Sequence, residues 1–167
     1  SSVAVQAVSA NLLPPPDGIA KDISSLQDIL RKFIKDSPTI KEYGIAIGFN
    51  YDDSQLKEKR HPTRMELDEV STEIPIFIMH QSGHLGVYNS LALKKAGIDK
   101  STKNPPGGTI YREKDGSLSG VMAENAHFMT LFKLIPKYNN DQLEEILTNA
   151  EKVYLKNYAE QYEGVYN

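Results

Sequence analysis

His80 and His84 stand four residues apart behind a wholly apolar run, Ile76-Phe77-Ile78-Met79. On a helix that spacing would set two imidazoles on one face, as in a zinc-protease motif. Position 81 is Gln, so the general base of such a motif is missing, and Ser82-Gly83 favours a turn over a helix. The pair suits a polar pocket wall better, because an imidazole at a strand end can hydrogen-bond a carbonyl or carboxylate or pass a proton near neutral pH. The plainer alternative is that one ring ties the turn to the backbone. Asn89 adds an amide one helical turn further on, and Glu124 and His127 place a carboxylate and another imidazole one helical turn apart. An exposed Glu/His pair is ordinary surface, whereas a buried one would be a site candidate.

Two other blocks concentrate charge: Tyr51-Asp52-Asp53-Ser54 and Arg60-His61-Pro62-Thr63-Arg64. Neighbouring carboxylates point apart on an extended backbone, so the expectation there is a capping and ion-pair loop rather than a metal site. Pro105-Pro106-Gly107-Gly108 lacks the Lys-Ser/Thr and helix start of a phosphate loop and reads as a rigid turn.

These residues need elements to hold them. Pro14-Pro15-Pro16-Asp17-Gly18 forbids helix and forms a turn or linker. A helix follows, with Ser24 and Gln27 at capping-box spacing and Ile23, Leu26, Ile29, Leu30, Phe33 and Ile34 in one stripe. Gly44–Phe49 alternates large and small residues as a strand whose small face invites close approach. Thr63 and Glu66 predict a second capping box, and Ile76–Met79 a strand buried on both faces. Val87–Ala96 reads as a helix ended by Gly97. Thr109–Arg112 and Ser117–Met122 flank Asp115-Gly116, a hairpin with a type I′ turn. Helices are expected over 123–135 and 141–162, the latter with Leu143, Ile146, Leu147, Ala150, Val153, Tyr154 and Tyr158 on its buried side. The two apolar strands suggest parallel βαβ order. The fold class is α+β: one lobe with a small sheet, one β-hairpin and about five helices.

Composition narrows the function. The 167 residues suffice for one domain, and the net charge of −3 is dispersed, which excludes a basic nucleic-acid surface. No stretch is long and apolar enough to span a membrane, and no secretion signal is legible, which suits a cytoplasmic location. Without cysteine there is no disulfide, thiolate nucleophile or thiolate metal site.

Taken in order, NLLPPPDGI, GFNYDDSQLKEKRHPTRMELDEVS, PIFIMHQSGHLGVYNSLALKKAGI and NPPGGTIYREKDGSLSGVMAEN resemble the amidohydrolase family-3 branch of the metal-dependent amidohydrolases, which includes N-substituted formamide deformylases. The resemblance implies a parent enzyme built on a (β/α)₈ barrel, with a divalent metal, zinc for preference, at its carboxyl face. The His-x-His pair that would hold that metal does not occur in this chain. The chain is then expected to be the lobe inserted into the barrel, not a complete TIM barrel. Residues 1–22 would form an extension, 23–135 the α+β lobe and 136–167 a long helix leading back. The lobe would cover the active site of an enzyme cleaving an amide-type carbon–nitrogen bond and be inactive alone. It would hold no catalytic residue, cofactor or metal of its own, with His80, His84, Asn89 and Glu124 lining the pocket of a small-molecule substrate. An apolar barrel-facing surface would favour self-association. The alternative is a free-standing module that binds a small ligand or a protein.

Overall fold

The computed structural model describes residues 9–38, 40 and 43–134. Its elements are β1 (Ala10–Asn11), α1 (Ile23–Asp36), β2 (Ala46–Tyr51), α2 (Arg64–Val70), β3 (Ile76–His80), β4 (Leu85–Tyr88), α3 (Ser90–Lys95), β5 (Gly108–Arg112), β6 (Leu118–Glu124) and α4 (Asn125–Leu134). One open six-stranded sheet runs in the order β1-β2-β3-β4-β6-β5 and does not close into a barrel. β1, β2 and β3 are parallel, while β4, β6 and β5 extend the sheet antiparallel. The fold is thus a mixed α+β lobe. The expected helix over 141–162 lies outside the described residues.

The apolar run of β3 is continuous because both faces of the sheet are covered. Ile76 and Ile78 face Leu26, Leu30 and Leu67 of α1 and α2, whereas Phe77 and Met79 face Leu93 and Leu131 of α3 and α4. β2 and β3 pair in parallel across α2, which gives the βαβ order expected. The small face of β2 is used for close approach: a Cβ on Gly48 would lie 2.5 Å from Leu12 Cδ1.

Three local expectations are corrected. α1 is capped by Asp22 and Ser25 rather than Ser24 and Gln27, with Ser25 N donating to Asp22 Oδ1 at 2.7 Å. Gln27 is committed elsewhere, its Nε2 donating to Glu66 O and Glu69 Oε2 of α2. Val87 and Tyr88 belong to β4, and the helix begins only after Asn89, whose side chain caps it. A β-branched residue and an aromatic pair readily with a neighbouring strand. The β5–β6 hairpin forms as expected, but Gly116 is left-handed (φ 87°) and Asp115 is not, so the turn is not type I′. Asp115 Oδ1 instead accepts from Ser117 N and Oγ, and Gly116 N donates to Glu113 O. The Thr63/Glu66 capping box is present as read, and Glu66 also pairs with Arg60 at 2.8 Å.

Candidate functional site

The parallel strands β2 and β3 end at Tyr51 and His80, and β6 ends beside them at Glu124. The carboxyl edge of such strands is where open α/β sheets bind ligands. His80 and His84 flank the tight β3–β4 turn and point to opposite faces of the sheet. His80 lies against Tyr51, ring centroids 5.3 Å apart, on the α1/α2 side. His84 lies against Phe128 of α4, at 6.3 Å. Strand alternation therefore separates the pair that sequence spacing suggested might act together.

On the α1/α2 side the ladder slips between Phe49 and Tyr51, where Asn50 adopts φ 75°. Asparagine tolerates this left-handed geometry. The buried Tyr51 hydroxyl meets His61 Nδ1 at 2.8 Å, returned by the loop after β2. His61 Nε2 stands 3.6 Å from Asp53 Oδ2, and His80 Nε2 stands 2.8 Å from Asp53 Oδ1. His80 Nδ1 is 2.9 Å from Ser82 Oγ. The two carboxylates do not point apart as expected: they sit in a turn beyond the strand, and ligand atoms of Asp52, Asp53 and His80 all lie within 4.8 Å of one another. The capping role is also real, since Asp52 Oδ1 accepts from Ser54 N and Oγ.

The electrostatics follow from this packing. Burial pushes the Tyr51 phenol far above its ordinary range, reinforced by Asp53 and Asp52. Burial alone would raise the Asp53 carboxyl, but the His80 hydrogen bond and the charges of His61 and His80 together hold it below the usual range. Burial lowers His61, against the pull of Asp53.

On the α3/α4 side, His84 Nδ1 lies 3.0 Å from Glu124 Oε2, both side chains being partly open to solvent. Glu124 takes φ 54° and donates its N–H to His84 O at 2.8 Å, so backbone and side chain lock the two residues together. Behind them His127 is fully buried, with Nδ1 2.9 Å from the Tyr88 hydroxyl and Nε2 finding no hydrogen-bond partner among the described residues. Burial, with a smaller push from His84, lowers its pKa to about 3. Its ring rests on Gly86, where a Cβ would come within 2.5 Å of Cε1 and Nδ1.

Asn89 departs from its expected place on a pocket wall. It is completely buried, its Oδ1 accepting from Ile76 N and Ala92 N and its Nδ2 donating to Ser71 O and Ile74 O. Its amide joins β3 to α3 and to the turn before β3. His80, His84 and Glu124 do reach the edge. Tyr51 and His61 join them in the structure, and the ring donors of their two loops were the sequence signal.

The described residues form an open sheet with imidazole–carboxylate pairs at one edge, and the sequence comparisons supply the family. The model of the amidohydrolase family matches residues 4–157, and the chain belongs to that family. It is 36% identical over 104 residues to an N-substituted formamide deformylase of Arthrobacter pascens, covering 62% of this chain and 19% of that protein. It is 34% identical over 109 residues to the exoenzymes regulatory protein AepA of Pectobacterium carotovorum subsp. carotovorum, covering 64% and 23%. The chain thus spans roughly a fifth of the length of the curated relatives it matches. An uncharacterized metal-dependent hydrolase from Pyrococcus horikoshii OT3 shares the fold, with TM-score 0.55, 21% identity, and coverage of 98% of this chain and 26% of that one.

Proposed function

We propose that this chain is the substrate-covering lobe of a metal-dependent amidohydrolase that cleaves an amide-type carbon–nitrogen bond. One observation carries the reading: the His84–Glu124 pair stands partly open at the carboxyl edge of the sheet, locked by both backbone and side chain. The similarity to a formamide deformylase fits that geometry. In the parent a divalent metal, zinc for preference, would supply the hydroxide nucleophile. The four histidines of this chain include no His-x-His pair, so the ligands of that catalytic metal belong to other parts of the parent.

The roles of this chain are to bind and to orient. His84, its ring fixed by Glu124, would donate to the carbonyl oxygen of the amide-type substrate and hold the carbonyl for attack. Packing of the lobe over the mouth would exclude bulk water and strengthen that hydrogen bond. His80 would line the same rim from the other face. Alone, the lobe would be inactive. Among the described residues no helix is long and apolar enough to cross a membrane.

The test is His84→Ala in the full-length enzyme, assayed on an N-substituted formamide and a panel of other amides. A loss of about 100-fold in kcat/KM is expected from removing one carbonyl donor. An unchanged kcat/KM on a turned-over substrate would sink the assignment.

A further inference from the structure

The α1/α2 side of the edge holds more ligating chemistry than a capping loop requires. Two imidazoles from distant parts of the chain present Nε2 to the two oxygens of one carboxylate, at 2.8 Å for His80 and 3.6 Å for His61. The His61 ring is held from behind by the Tyr51 hydroxyl on Nδ1. His80 Nδ1 accepts from Ser82 N at 3.1 Å and would have to exchange that contact for donation to Ser82 Oγ on binding an ion. Anchoring the far nitrogen is how ligating histidines are oriented toward a metal. Asp52 brings a second carboxylate within 4.8 Å of Asp53 and His80. In a tetrahedral site with bonds of about 2.0–2.1 Å, neighbouring ligand atoms stand about 3.3 Å apart. The two imidazole–carboxylate distances bracket that value. His61 and Asp53 keep side-chain exposures of 27% and 32%, so an ion can enter.

We propose that Asp52, Asp53 and His80, with His61 approaching Asp53 as a fourth group, form a binding site for a divalent transition cation. Two imidazoles with two carboxylates suit zinc, cobalt or manganese and disfavour magnesium and calcium, which take oxygen ligands. The ion would cross-link the turn after β2, the loop carrying His61 and the end of β3. Its site lies on the face of the sheet opposite His84, so its occupancy does not depend on the carbonyl-binding role assigned to that residue.

The experiment is calorimetric titration of the chelator-treated 167-residue chain with zinc chloride and, separately, magnesium chloride. One equivalent of zinc is expected, with no magnesium binding. Asp53→Asn, which keeps the side-chain shape, and His80→Ala should each weaken zinc binding at least about tenfold. His84→Ala should leave it unchanged. Cobalt added to the same chain should give visible absorption that is lost in His61→Ala, with circular dichroism confirming that each variant is folded. Substoichiometric zinc, affinity indifferent to Asp53→Asn and His80→Ala, or binding lost in His84→Ala would each overturn the site. The His84→Ala activity test reads the other face, so either proposal can fail alone.

Discussion

The two faces of the sheet treat the same chemistry in opposite ways. On the α1/α2 side, two imidazoles share one carboxylate and all three groups keep some access to water. On the α3/α4 side, one imidazole meets a carboxylate at the surface while another is sealed beneath it, its Nε2 without a partner among the described residues. A charge near water can be retained, but a charge in an apolar interior must be paired or given up. His127 gives it up. Burial, more than residue type, decides which histidines of this chain can ligate or donate.

The comparison breaks first on pH. His127 has a folded pKa of about 3, below its unfolded value near 6.5, so the unfolded chain binds the extra proton. Its contribution is complete above about pH 6.5 and is lost as pH falls toward 3, by at most on the order of 5 kcal/mol. Urea denaturation from pH 7.5 to 4 should show this slope, to which His61, also lowered by burial, adds, and His127→Leu should remove the larger part of it. Asp53, also depressed, should add its loss only below about pH 4, through its folded pKa. An acid limb that starts below pH 4 in the unmodified chain would refute the contrast.

Gly86→Ala drives a methyl group into the His127 ring and should cost about 2–3 kcal/mol. In a double-mutant cycle, His127→Ala should relieve most of that cost, and additive losses would mean the ring is not the obstacle. Tyr51→Phe removes the hydroxyl behind His61 and should cost about 1–2 kcal/mol in thermal or chemical denaturation. His84→Ala removes an exposed pair and should change stability by less than about 0.5 kcal/mol, however large its effect on catalysis. A larger destabilisation would make His84 a structural residue.

What the sequence could reveal followed from range. β3, the Thr63/Glu66 box and the hairpin strands are written in short local patterns, and each formed where expected. β4 was hidden because four residues between a turn and a helix cap carry no period of their own. Asn89 read as a polar wall because its amide is attractive for ligands, whereas its partners are backbone groups up to 18 residues away. The pairing of Asp53 with His80 spans 27 residues and depends on parallel strand register. The family resemblance reached further than any single motif because it sampled all these blocks in order.

Asn50 carries a consequence beyond its own turn. Because it is the extra residue opposite the end of β3, Tyr51 rather than Asn50 pairs with His80 and turns to the α1/α2 side. Strand parity would otherwise have sent Tyr51 to the other face, away from His61. The address of the whole imidazole cluster is thus set by a one-residue insertion that bears no ligand. A designer wishing to relocate the cluster would edit the length of β2 and leave every histidine in place.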